Sequence, residues 1–201
     1  MPSRIRFATA RNVFEAFPDL QDAAPAPSDD AAPLDYARRL LASPRPADAI
    51  VFLAYLLPRR EAVWWARQCV GAMLGPSADN AALRAAEAWV RAPDEENRLS
   101  ALEIGSASDQ HFATTWLALA AAWSGGSMCA PDKKPMPAPI WACAKAVSAA
   151  IVLAACSGDP LAMARRINAC GEAGVRFADG GDARPAITQG GAGGRETRLD
   201  A

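Results

Sequence analysis

Proline constrains this chain more than any other residue. The prolines flank the apolar runs instead of interrupting them, as at Pro18, Pro33, Pro44, Pro58, Pro93 and Pro160. Proline has no backbone N–H and disfavours helical geometry in the residue before it, so it ends a helix or opens one and is excluded from the middle. The runs between these marks are alanine-rich and poor in β-branched residues, and only 7% of the chain is aromatic, which favours helix over strand. With 201 residues, 51% of them hydrophobic, there is enough apolar material for one core. The expectation is an all-α protein.

Thr9 is placed to cap a short helix over residues 10–17, with Val13, Phe14 and Phe17 on one face and Pro18 ending it. Residues 21–32 lack bulky side chains to offset backbone ordering and read as a linker. Pro33 opens a helix carrying Leu34, Ala37, Leu40 and Leu41 before Ser43 and Pro44 stop it. Residues 47–57 leave almost no polar face and should lie at the centre. Pro58 turns the chain into a second member of a helical hairpin, 59–74, which Gly75 and Pro76 end. Ser77 is placed to cap 78–92, and Pro93 with Asp94, Glu95 and Glu96 gives the next helix an acidic first turn. A polar break from Gly105 to Asp109 follows, then an apolar helix over 112–123 and a glycine- and proline-rich surface loop over 124–139. Pro139 starts a helix over 140–156, and Asp159 with Pro160 starts another over 161–177. From Asp179 the chain is glycine-rich and reads as a disordered tail. The organisation expected is 1–32 as short helix and linker, 33–178 as the folded domain and 179–201 as tail. No repeat of solenoid length stands out, so the fold expected is an irregular antiparallel bundle of about eight or nine helices.

The formal net charge of -1 creates no field to gather phosphate backbones, which argues against nucleic acid as a partner. Five scattered cysteines fit reduced thiols in a cytoplasm. The first residues have no apolar signal core, and the most apolar stretch, 140–156, is short for a bilayer and interrupted by Lys145. It reads as a buried helix instead of a membrane span, with peripheral membrane attachment as a lesser alternative. The single histidine, His111, has no nucleophile motif beside it, and no metal-ligand spacing occurs. The turn Gly125-Gly126-Ser127 lacks the frame of a phosphate-binding loop. No catalytic residue, cofactor or metal is expected.

One segment resists a purely structural account. On a helix, Trp65 falls in line with Ala62, Ala66, Cys69 and Met73, while Trp64 turns about 100° away toward Arg60, Arg67, Gln68 and Gly71. Either Trp64 stacks on Arg60 and covers a neighbouring helix, or it anchors a partner-binding patch, since arginine and tryptophan are enriched in both settings. The candidate interaction residues are Arg59, Arg60, Trp64, Arg67, Gln68 and Ser127, the last because Trp116, Trp123 and Trp141 flank its loop.

The strings LLPRREAVWWA, beginning at Leu56, and TWLALAAAWSGGS, beginning at Thr115, resemble the two signature segments of an uncharacterised family of proteobacterial helical proteins. That family's genes often lie beside those of the type VI secretion apparatus. The resemblance implies an accessory role there and transfers no functional residue. Two readings stand: a non-enzymatic adaptor or chaperone-like module that binds another protein, and an enzyme or small-ligand binder whose polar groups, such as Glu61, Asp109 or His111 with arginines, meet only in three dimensions. Neither fixes an oligomeric state.

Overall fold

The computed structural model describes residues 3–75, 80–157 and 159–187. Among these residues the order is α1 (Ala10–Ala16), α2 (Pro33–Leu41), α3 (Ala47–Leu56), α4 (Arg59–Leu74), α5 (Ala81–Arg91), α6 (Glu95–Ala107), α7 (Ala113–Ala122), α8 (Ala142–Cys156) and α9 (Met163–Ala178). No strand occurs among them beyond one isolated bridge between Ser127 and Pro137, so the protein is an all-α helical bundle.

The helix ends follow local chemistry. The Thr9 hydroxyl accepts from the Asn12 amide at 3.3 Å and the Asn12 side chain accepts from the Thr9 amide at 3.2 Å, a reciprocal cap on α1. Asp94 caps α6 by accepting from Asn97 N at 2.9 Å, ahead of Glu95 and Glu96 in the first turn. Asn80 caps α5 at Leu83 N; Ser77, the expected cap, lies outside the described residues. A 3-10 turn, Pro160–Ala162, leads into α9, with Asp159 accepting from Leu161 N. The polar stretch expected to break the chain after Ile104 instead extends α6 to Ala107. Gly105 is there for closeness, because a Cβ on it would stand 2.8 Å from the Leu119 side chain of α7.

α8 is the hub: it packs against α7 above all, then α4, α3 and α9, while α7 also takes α6 and α5. α3 is buried on nearly every side, Ile50, Phe52, Leu53, Tyr55 and Leu56 included, each large apolar side chain contributing about 1.5–3 kcal/mol by leaving water. α3 and α4 meet little beyond the Pro58 corner and do not form the expected hairpin; each finds its main partners elsewhere in the bundle. Trp65 is fully buried, and its Nε1 donates to the Cys170 carbonyl of α9 at 3.0 Å. Gly174, one turn further along α9, makes room for that indole: a Cβ there would lie 2.9 Å from the Trp65 ring and from Leu53.

The stretch read as a linker is fastened down. Ala10 N donates to the Ala31 carbonyl at 2.9 Å, the Tyr36 hydroxyl donates to the Pro25 carbonyl, and Arg11 and Arg39 pair with Asp30 and Asp29. Short polar residues hold it by hydrogen bonds where bulky ones are missing, which a count of apolar residues does not register. At the other end, Arg4 N donates to the Ala178 carbonyl at 2.9 Å, and Ala183, within the presumed tail, is buried. The remainder of that tail, 188–201, lies outside the described residues. No described helix is long and apolar enough to cross a membrane.

Candidate functional site

The divergence of the two neighbouring tryptophans on α4 generates the candidate site. Trp65 goes to the core, whereas Trp64 is half-buried, one side packed on the core and the other walling a shallow, open concavity of about 340 Å³. Arg60 and Glu61, from the first turn of α4, share that wall. Val90 and Arg91 at the end of α5, Phe177 at the end of α9 and Arg4 from the N-terminal stretch complete it.

Each arginine is held differently. Arg60 Nε donates to the Val90 carbonyl at 2.7 Å, one of the acceptors left open in the last turn of a helix and lying at its negative pole. The Arg4 guanidinium lies 4.0 Å over the Phe177 ring and donates to the Phe177 carbonyl. Arg91 pairs with Glu87, which also takes Arg67 at 2.9 Å. The Arg60–Trp64 stack, one of the two alternatives for Trp64, does not form; the cation–π contacts among the described residues are Arg4 on Phe177 and Lys145 on Trp141.

The six candidates from sequence therefore separate. Arg60 and Trp64 line the concavity, Arg67 stands beside it through Glu87, and Gln68 is half-buried further along α4. Arg59 instead braces the two ends of the long loop, donating to the carbonyls of Ser124 and Ile140. The loop thus borders the Arg59 side of α4. Ser127 is engaged inside that loop: its hydroxyl accepts from the amides of Cys129 at 3.0 Å and Met136 at 3.1 Å. Its carbonyl accepts from Arg98 at 3.0 Å.

Arg98 is the residue that sequence reasoning missed. It is buried on α6, donating to both Glu95 oxygens at 2.6–2.7 Å and to the Ala122 carbonyl at 2.9 Å. The signal was its register, since Arg98 falls on the same stripe as the buried Ala101, Leu102 and Gly105. Next to it Gly126 adopts φ +61°, where a Cβ would sit 3.0 Å from the guanidinium.

Ionisable chemistry elsewhere is dispersed. His111 faces solvent with its Nδ1 2.7 Å from Asp109, and the Asp109 carboxyl is held below its usual range, first by the His111 amide and then by the His111 ring. No group of three or more His, Cys, Asp or Glu side chains able to hold a metal occurs among the described residues. Burial pushes the Cys143 thiol up to about 12. Cys69 is raised as well, by burial and by its hydrogen bond to Cys170. Thiols so raised are poor nucleophiles.

No curated protein and no solved structure matches the chain. Its residues 36–178, well over half its length, match a family described as a family of unknown function, DUF6931. That span takes in Arg60, Glu61, Trp64, Val90, Arg91 and Phe177 and leaves Arg4 outside. On that match the chain belongs to the DUF6931 family.

Proposed function

We propose that this protein is a non-enzymatic protein-interaction module whose docking surface is the concavity around Arg60 and Trp64. The observation that supports the reading is the placing of a half-buried indole among the guanidiniums of Arg4, Arg60 and Arg91 at the meeting of four chain segments. Large flat side chains and arginines set in a rigid frame are the residues that carry most binding energy at protein interfaces. The hydrogen bond from Arg60 to Val90 and the Arg4 contacts to Phe177 fix that frame before any partner arrives. Its setting, as an adaptor or chaperone-like accessory of a bacterial type VI secretion system working in the cytoplasm, is supported by the resemblance of its two signature strings and by the free thiols of Cys69, Cys143 and Cys170, kept as small apolar core residues.

Trp64→Ala tests the reading. The variant should lose pull-down of a secretion-system component encoded beside its gene, with the circular-dichroism spectrum unchanged and the melting temperature within a few degrees of wild type. Retained capture, or collapse of the fold, would make Trp64 a packing residue only.

A second reading has one observation in its favour. Glu61 faces the same space as three arginines, and the volume of about 340 Å³ is at the small end of ligand clefts. Thermal-shift screening against a metabolite library addresses it; a flat response removes the small-ligand reading and leaves the docking surface.

A further inference from the structure

The concavity has a chemical preference. Arg4, Arg60 and Arg91 face it with one carboxylate, Glu61, and beside it Glu87 pairs with both Arg91 and Arg67; arginines outnumber carboxylates here, whereas the chain as a whole carries a net charge of -1, so the positive excess is local. Trp64, Val90 and Phe177 line the same space as the guanidiniums. That lining excludes water from one side of any bound group and strengthens charge pairing beside it.

We infer that the partner segment seated here is an acidic peptide in an extended conformation, with an aliphatic side chain laid on Trp64 and Val90 and carboxylates flanking it toward Arg60 and Arg91. This rests on the docking-surface reading above and adds the class of the ligand. The volume of about 340 Å³ accommodates a few side chains of a short extended segment. Arginine presents a planar fork that pairs a carboxylate through two parallel bonds, a geometry lysine lacks. Glu61 at the rim repels a misplaced carboxylate and accepts a backbone N–H, which sets the register of the segment. Arg91, held by Glu87, exchanges part of that pairing for the incoming carboxylate. Arg4 has its guanidinium on the Phe177 face and shapes the far wall.

The test uses fluorescein-labelled peptides of sequence EEDLDEE, EEDGDEE and KKKLKKK, with the full chain and anisotropy as readout. The first should bind saturably and about tenfold tighter than the other two, a difference of about 1.4 kcal/mol, and added salt should weaken it. The double variant Arg60→Gln, Arg91→Gln should cut that affinity about tenfold, and Glu61→Gln should tighten it, a gain that no purely structural role predicts. Equal affinity for the lysine peptide, indifference to the double variant, or no saturable binding would overturn the acidic-peptide assignment. Should Trp64→Ala still abolish capture of the encoded partner in that event, the docking surface survives and only the ligand class falls; capture retained by that variant would remove both.

Discussion

Arg98 on α6 donates to the carbonyl of Ser127 at 3.0 Å, 29 residues further along the chain. The same guanidinium holds the buried carbonyl of Ala122 and the carboxylate of Glu95, so one side chain joins the start of α6, the end of α7 and the long loop. Arg98→Ala takes this donor from the Ala122 and Ser127 carbonyls, at about 1–3 kcal/mol for a buried acceptor such as that of Ala122. We expect urea denaturation to show a loss of about 3 kcal/mol, and faster amide exchange at Cys129 and Met136, whose N–H groups donate to Ser127. Hydrogen bonding to Arg98 holds the Glu95 carboxyl below its usual range. Its contribution is present above the ordinary glutamate value and is lost as pH falls through the depressed one. With 65% of that side chain exposed, solvent screening keeps the contribution small. A loss well under 1 kcal/mol in the alanine variant would show that the loop holds itself.

Trp64 and Trp65 are adjacent in sequence and opposite in consequence. Trp65→Ala empties a fully buried site and should cost about 3–5 kcal/mol; Trp65→Phe, which removes the donor to Cys170, about 1–2 kcal/mol. Trp64→Ala should cost about 1 kcal/mol, the ordinary cost of a partly exposed substitution. Equal losses at the two positions would place Trp64 in the core.

Those two residues also mark how far the sequence speaks. The 100° step between neighbours on a helix separates Trp64 from Trp65 without coordinates, and proline and cap chemistry place the helices because both act within a few residues. Arg98 was harder. Its side chain finds partners from an adjacent turn, another helix and a loop, and only its place on the apolar stripe of α6 could have pointed to it. The concavity was half legible: Arg60, Glu61 and Trp64 lie within one turn or so, but Arg4, Arg91 and Phe177 arrive from distant segments, and nothing local announces their meeting. Residues 21–32, read as a linker, are tied to α1 and α2 by hydrogen bonds and ion pairs, which a reading based on apolar side chains does not register.

Alkali should weaken the fold through its buried acids. The Cys143 thiol titrates near 9.0 when unperturbed and is pushed up to about 12 by burial, and burial also raises Cys69 and Tyr55. A raised native pKa means that the unfolded chain releases its proton first. Stability is therefore full below the ordinary value and falls as pH rises from about 9 toward about 12, by up to about 1.4 kcal/mol per pH unit for each such group. Urea titrations across this range should show the decline, with a shallower slope in Cys143→Ser, where no thiol ionises. An identical slope in the variant would remove Cys143 from the account.

Thiol accessibility gives an independent reading of the core. Cys156 is exposed and Cys129 half-buried, while Cys69, Cys143 and Cys170 are buried. Ellman's reagent at neutral pH should react with Cys156 first and Cys129 next, and with the other three only after denaturant is added. Rapid reaction of Cys143 in the native protein would contradict the packing of α8.

Photo-crosslinking from position 64 tests the docking surface most directly. Benzoylphenylalanine placed at Trp64 keeps an aromatic side chain in the concavity, and the same group at the exposed Phe112, outside it, serves as control. A discrete adduct with a second protein is expected from position 64 in living cells, none from position 112, and loss of the first when Arg60 and Arg91 are both glutamine. Adducts from both positions alike, or from neither, would contradict the docking surface.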